Sequence, residues 1–174
     1  MIYNLPDNEN DFMNVFSYKK LVSGDFILLE EFKNDYKNLY PNLLIDNRTL
    51  NYLKEKAIEK KLIQKKVYDD GTEVLFLTDI GETQIYGKFD IENAFDEFML
   101  IIRLLDPDKN NYKITSFIVS VLDIMHPMNY KNIKEILKYA RNNGFIEYKD
   151  SLDPTMYITS KGKDYINRTL KCAV

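Results

Sequence analysis

Residues 133–162 of the chain read IKEILKYARNNGFIEYKDSLDPTMYITSKG, and residues 50–81 read LNYLKEKAIEKKLIQKKVYDDGTEVLFLTDIG. The apolar positions in the first half of the two stretches align at an offset of 83 (133 minus 50). The last six positions align at an offset of 81 (162 minus 81). The two-residue difference falls where turn residues cluster, at residues 67–73 or 149–154. A self-match of this kind predicts one supersecondary unit that is used twice.

In both copies the spacing of apolar residues changes from helical to extended. The first part of each copy places apolar residues at i, i+3 and i+7, which predicts a helix. We expect Asp46 or Asn47 to cap the first helix and Asn129 the second, because these side chains accept a hydrogen bond from an unpaired amide. Residues 63–68 and 73–77 then flank the turn signal Asp69-Asp70-Gly71-Thr72. Residues 145–148 and 156–158 flank a second turn, so each helix is predicted to precede a β-hairpin.

The order helix, strand, turn, strand and Thr-x-x-Gly resembles the recognition helix and wing of a winged-helix domain. Residues 157–163, YITSKGK, also resemble the end of the wing in MarR- and PadR-like bacterial regulators. The resemblance covers about 30 residues in each copy. It implies tandem winged helix-turn-helix domains, which are mainly α with small β-hairpins, an α+β class. We place domain 1 at residues 1–88 and domain 2 at residues 89–174, because residues 79–88 read as a polar link with two glycines.

Further helices are predicted over residues 10–22, 25–39, 114–125 and 163–170, and a small third strand at Leu43-Leu44-Ile45. The helix expected over residues 91–105, which follows a capping Asp90, has a broad apolar stripe. Ordinary core packing explains that stripe, and a linker or a homodimer surface remains open as an alternative. His126 and Pro127 are expected to turn the chain into the later recognition-type helix, residues 130–142.

Several classes of function are disfavoured by composition. The longest apolar run, residues 98–102, is stopped by Arg103, so no membrane segment is expected. The acidic start of the chain does not fit a signal peptide. His126 and Cys172 are the only histidine and cysteine, which is too few for a zinc site or a Cys–His pair within one chain. The six glycines form neither a P-loop nor a dinucleotide fingerprint. We therefore predict no enzyme, no metal and no cofactor, and the single cysteine favours a reducing cytoplasm.

The net charge of −3 is unevenly distributed along the chain. Residues 47–68 hold seven Lys or Arg and two Glu, a net charge of +5. Residues 130–149 hold five Lys or Arg and two Glu, a net charge of +3, so the remainder carries −11 (−3 minus +8). Both positive blocks coincide with a predicted helix and first wing strand. A basic surface on an acidic body indicates phosphate contact, although lysine-rich helices are also often simply solvated.

The candidate DNA-binding residues of the later copy are basic and amide side chains: Lys131, Lys134, Lys138, Arg141, Asn142 and Lys149. Those of the earlier copy are Arg48, Asn51, Tyr52, Lys56, Lys65 and Lys66. Glu55 and Glu59 share the exposed face of the earlier helix and would repel phosphate, so the later copy is predicted to be the better reader of DNA.

Two functions remain open on the sequence alone. The first is a cytoplasmic protein that binds double-stranded DNA, most simply a transcriptional regulator with a basic recognition helix and wing. The second is a tandem winged-helix adaptor that binds another protein and makes no direct contact with DNA. The acidic body and the glutamates at positions 55 and 59 favour the second.

Overall fold

The computed structural model describes residues 9–42, 46–105, 110–149 and 154–169. The chain divides into two compact units, unit 1 ending at Lys88 and unit 2 beginning at Phe89. Each unit combines helices with one three-stranded antiparallel sheet, which confirms the α+β class.

Unit 1 contains four helices and three strands within its described residues. In chain order they are α1 (Glu9–Tyr18), β1 (Phe26–Leu28), α2 (Leu29–Leu39), α3 (Asn47–Glu59), β2 (Ile63–Val67), β3 (Glu73–Leu77) and α4 (Asp79–Tyr86). The sheet order is β1-β3-β2, with Phe26 opposite Phe76 and Ile63 opposite Leu77. Asp46 caps α3 by accepting a hydrogen bond from the Thr49 amide at 2.8 Å, as predicted.

Unit 2 repeats that order and adds one short helix. Its elements are α5 (Ile91–Leu105), β4 (Asn111–Lys113), α6 (Ile114–Val121), α7 (Pro127–Lys131), α8 (Ile133–Asn142), β5 (Ile146–Lys149), β6 (Thr155–Ile158) and α9 (Ser160–Thr169). The sheet order β4-β6-β5 matches that of unit 1, with Asn111 opposite Tyr157 and Ile146 opposite Ile158. Both predicted hairpins are confirmed.

Each unit has its own aromatic core because amphipathic helices bury one stripe against a half-apolar sheet. In unit 1 the rings of Phe12 and Phe32 lie 4.5 Å apart. In unit 2 the ring of Phe98 packs edge-on against Phe117 at 5.6 Å. The apolar stripe of α5 belongs to this core, which confirms the simpler interpretation of that helix.

Three predicted boundaries in unit 1 are wrong. Helix α1 ends at Tyr18, and Lys20 follows it with a positive φ of 55°. The helix predicted from residue 25 begins at Leu29, because residues 26–28 pair with β3 instead. Residues 79–88 are not a polar link, because Thr78 caps α4 there. The strand predicted at residues 43–45 lies outside the described residues.

The later recognition-type helix also differs from its prediction. Residues 130–142 are not one helix, since Asn132 leaves helical geometry and separates α7 from α8. Its side chain donates to the carbonyl oxygen of Met128 at 2.8 Å, and its backbone amide donates to the same oxygen at 3.3 Å. Asn129 is not a cap, because it lies inside α7. Helix α6 stops at Val121, and α9 begins at Ser160, ahead of its predicted start at residue 163.

The Thr-x-x-Gly sequence has the same geometry in both units. The Thr78 hydroxyl donates to the carbonyl oxygen of Lys61 at 2.6 Å and accepts from the Gly81 amide at 3.1 Å. The Thr159 hydroxyl donates to the carbonyl oxygen of Gly144 at 2.7 Å and accepts from the Gly162 amide at 3.0 Å. Thr78 therefore caps α4 and attaches it to the residues just before β2. Thr159 does the same for α9 and the residues just before β5.

The C-terminal ends of α3 and α8 differ at one equivalent residue. Both end in the same turn, closed by hydrogen bonds of 2.9 Å from Leu62 to Ala57 and from Phe145 to Ala140. The left-handed position is Gly144 in unit 2, with φ 70°, but Lys61 in unit 1, with φ 59°. A side chain with a β-carbon is disfavoured in this conformation.

We expect Lys61→Gly to increase the free energy of unfolding of unit 1 by about 0.5 kcal/mol, because relief of strain exceeds the entropy cost of glycine. The measurement is the urea midpoint of the full chain. Lys60→Gly is the control, since Lys60 has φ −77° and glycine there should destabilise. Equal effects of the two substitutions would contradict the prediction.

Candidate nucleic-acid interface

Helix α8 has one buried and one basic face. Its buried residues are Ile133, Ile136, Leu137 and Ala140. Lys134 and Lys138 are exposed, one turn apart, and within the described residues neither makes an ion pair or hydrogen bond. Because residues four apart lie on the same side of a helix, their ammonium groups are available to a single ligand. Glu135 is exposed on the same helix and is the one acidic residue there.

Lys131 is also exposed, but it lies at the end of α7 and not on α8. The start of α7 is held by Glu97 of α5. That carboxylate accepts from the His126 amide at 2.8 Å and from the Asn129 side chain at 2.6 Å. Helix α5 therefore positions the segment that leads into the basic face.

The end of α8 is joined to the first strand of the hairpin by a cation–π contact. The Arg141 guanidinium lies 5.3 Å from the centre of the Tyr148 ring on β5. Burial raises the pKa of the Tyr148 hydroxyl, and the nearby Arg141 charge opposes this rise. Asn142 and Lys149 are exposed beside the pair. The stacked ring reduces the conformational freedom of Arg141 before any ligand binds.

The corresponding surface of unit 1 carries charges of both signs. Arg48, Asn51, Tyr52, Lys65 and Lys66 are exposed, and Lys56 is half-buried. The Lys56 and Lys66 ammonium groups each lie 4.6 Å from a tyrosine ring centre, above Tyr52 and Tyr68 respectively. Glu55 lies 3.9 Å from Lys65, and Glu59 is exposed on the same helix. This arrangement offers no continuous basic face among the described residues of α3 and its hairpin.

The hairpin turn of unit 1 is acidic. Asp69 and Asp70 are exposed there, and the hydrogen bond from the Thr72 amide lowers the pKa of Asp70. Two acidic side chains at one turn do not favour a phosphate. The matching turn of unit 2, residues 150–153, lies outside the described residues.

Lys54 is one of the basic residues of α3, but it is buried. Its ammonium lies 2.5 Å from the Glu73 carboxylate on β3, so it contributes no surface charge. The alignment of Leu50 with Ile133 places Lys54 at the position of Leu137, which is on the buried stripe of α8. That alignment is the signal in the sequence that identifies Lys54 as an inward-facing residue.

No family model matches the chain, and no curated protein matches its sequence. None of the helices within the described ranges is long and apolar enough to cross a bilayer. The same residues contain no group of three or more His, Cys, Asp or Glu side chains arranged to hold a metal ion.

Proposed function

We propose that the chain binds double-stranded DNA and that unit 2 makes the principal contact. Unit 1 and unit 2 act as tandem winged-helix domains, and α8 is the recognition helix. The observation that carries the proposal is the placement of Lys134 and Lys138 on the exposed face of a helix whose opposite face is buried. A major groove about 12 Å wide accommodates such a helix.

The side chains around α8 match the groups that DNA presents. Lys134 and Lys138 are suited to phosphate oxygens or to the acceptor edge of guanine. Arg141, oriented by Tyr148, is suited to a paired contact with guanine, and Asn142 to adenine or the backbone. Lys149 on the first hairpin strand reaches phosphate in the usual position of a wing.

Unit 1 has a secondary role in this proposal. Glu55, Glu59, Asp69 and Asp70 would repel phosphate near most of its helix and hairpin. Arg48 and Lys66 can still contact the DNA backbone. A role in transcriptional regulation is supported by the resemblance of residues 157–163 to bacterial regulators.

Removing the two lysines of α8 tests the proposal. We expect Lys134→Ala with Lys138→Ala to weaken binding of random duplex DNA about tenfold per lysine at low salt, because each loses a charge-assisted contact. The slope of log K against log salt concentration should decrease by about two, one for each lysine. Fluorescence anisotropy at several salt concentrations measures both quantities.

The matched control is Lys37→Ala with Lys88→Ala, which changes the net charge equally but alters exposed residues of unit 1. This control should leave the salt slope unchanged. An equal loss in both double variants would indicate non-specific attraction and would reject α8 as the recognition helix.

The alternative function is a protein adaptor, favoured by the glutamates of α3 and the acidic hairpin turn of unit 1. It predicts no shift of random duplex DNA by the wild-type chain even at low salt. The same titration therefore separates the two functions before any variant is made.

A further inference from the structure

Unit 2 contains a cleft of about 430 Å³ where the end of α5 meets β4 and α6. Its lining combines apolar or aromatic side chains with polar ones: Leu105, Tyr112 and Phe117, together with Asn111, Lys113, Ser116 and Ser120. Sites for small molecules in proteins have volumes of about 300–1,000 Å³ and the same combination of apolar walls and a few polar groups. The cleft is therefore large enough to hold a small ligand.

The duplication identifies the residues of unit 1 that correspond to this cleft. Buried Phe12 of α1 aligns with buried Phe98 of α5 at an offset of 86 (98 minus 12), and the neighbouring buried residues keep that offset. Buried Phe32 of α2 aligns with buried Phe117 of α6 at an offset of 85 (117 minus 32). The ring contacts agree with the alignment, since Phe12 packs on Phe32 at 4.5 Å and Phe98 on Phe117 at 5.6 Å.

Unit 1 fills the corresponding position with its own side chains. Residues 105, 116 and 120 of the cleft correspond to three charged residues: Lys19, Glu31 and Asp35. The Lys19 ammonium lies 2.6 Å from the Glu31 carboxylate and 3.5 Å from that of Asp35. Unit 2 has a leucine and two serines there, all shorter than their counterparts. The space that an ion-paired network occupies in unit 1 is thus left open in unit 2.

We propose that the cleft of unit 2 binds a small organic carboxylate that carries an apolar chain. Lys113 is the one charged residue among the described residues that line the cleft, and its ammonium favours an anion. No other group of the described residues bonds the Ser116 hydroxyl or the Asn111 side-chain amide, so both can donate to the carboxylate. Leu105 and Phe117 offer apolar surface to the chain.

The surrounding charges limit the ligand to a single negative charge. Exposed Arg103 lies two residues before Leu105, and exposed Asp123 lies three residues after Ser120. Residues 106–109 of the adjoining sequence carry two aspartates and one lysine and lie outside the described residues. These charges sum to −1 (two positive, three negative), so only the Lys113 ammonium offsets them. A ligand with several negative charges is therefore disfavoured, and a monocarboxylate is favoured.

Calorimetric titration of the full chain with octanoate at neutral pH tests the proposal. We expect one site per chain with a Kd on the order of 100 µM, which is ordinary for a ligand of about ten non-hydrogen atoms. Octanamide has the same chain without the charge, and it should bind about tenfold more weakly because it lacks the charge-assisted contact. Octylamine, which carries a positive charge, should bind more weakly still.

Two variants locate the ligand. Lys113→Gln should weaken octanoate binding about tenfold and leave octanamide binding unchanged, because only octanoate uses the ammonium. Its control is Lys163→Gln, the same change of charge at an exposed residue of α9 that does not line the cleft. The control should leave both affinities unchanged. The filled variant, with Leu105→Lys, Ser116→Glu and Ser120→Asp copied from unit 1, should remove octanoate binding.

Each outcome decides the question. Absence of octanoate binding overturns the proposal, and so does binding of octylamine as tight as that of octanoate. A stoichiometry well above one shows detergent-like adsorption and also overturns it. A filled variant that keeps the wild-type circular dichroism and still binds octanoate places the ligand elsewhere. If the filled variant does not fold, equal octanoate affinities of the Lys113→Gln and Lys163→Gln variants overturn the proposal. All titrations are made without DNA, so the result is independent of DNA binding.

Discussion

Gly81→Ala and Gly162→Ala are each expected to lower the free energy of unfolding of their own unit by about 4 kcal/mol. A β-carbon at residue 81 would overlap the carbonyl oxygen of Leu62, and one at residue 162 would overlap that of Phe145. In each case a core side chain lies on the other side, with Leu77 Cδ1 at 2.8 Å and Ile158 Cγ2 at 2.9 Å.

The loss should be large because the overlapping atom belongs to the backbone and cannot move alone. The Leu62 carbonyl accepts from the Thr78 amide at 3.1 Å, and the Phe145 carbonyl accepts from the Thr159 amide at 3.1 Å. Making room at the glycine would therefore separate α4 or α9 from its sheet, and would break the threonine cap as well.

Urea unfolding followed by circular dichroism measures the effect. Gly71→Ala is the control, because Gly71 has φ 83° but open space around its α-carbon. That substitution should cost only about 1 kcal/mol, from the backbone conformation alone. A loss at Gly81 or Gly162 no greater than at Gly71 would show that close approach is not the reason for glycine in Thr-x-x-Gly.

The elements that the sequence predicts well are those with their own local periodicity. Helices α3 and α8 each present an apolar stripe, and each hairpin combines alternating residues with a turn signal, so neighbouring residues suffice to identify them. Strands β1 and β4 escape such prediction because each is very short and exists only by pairing with β3 or β6, which lie much later in the chain. Such pairing leaves no local pattern.

Helix α4 escapes prediction for a different reason. Its capping residue, Thr78, is visible in the sequence, but Gly81 and Gly87 suggest a link. The helix continues through Gly81, where the absence of a side chain leaves room for the Leu62 carbonyl oxygen. It ends at Gly87, which has φ 78°. A glycine required for packing resembles a glycine required for flexibility when only the sequence is considered.

The exposure of the candidate site could be predicted from helical geometry. Lys134 and Lys138 face outward because the apolar residues of α8 determine which side is buried. The break at Asn132 and the contact of Arg141 with Tyr148 depend on side-chain bonds and on the approach of β5, which no periodicity reveals. DNA binding by these residues stays a prediction.

The buried ion pair of unit 1 gives the second large expected effect. Glu73→Ala should lower the free energy of unfolding by about 3 kcal/mol, because it leaves the Lys54 ammonium buried without its partner. Lys54→Leu should cost much less, since the Glu73 side chain is 22% exposed and water can reach it. Unit 2 has Leu137 and Pro154 at the equivalent positions, so this fold is compatible with apolar residues at both.

The double variant Lys54→Leu with Glu73→Ala distinguishes the cost of an unpaired charge from the cost of a lost contact. If the buried charge is the cause, the double variant should recover most of the loss seen with Glu73→Ala alone, giving a coupling energy of about 2 kcal/mol. If the losses of the two single variants simply add, the buried charge is not the cause of the loss. Urea midpoints of the three variants give the coupling energy. We expect it to be large because desolvation makes a buried ion pair costly to break but not costly to replace.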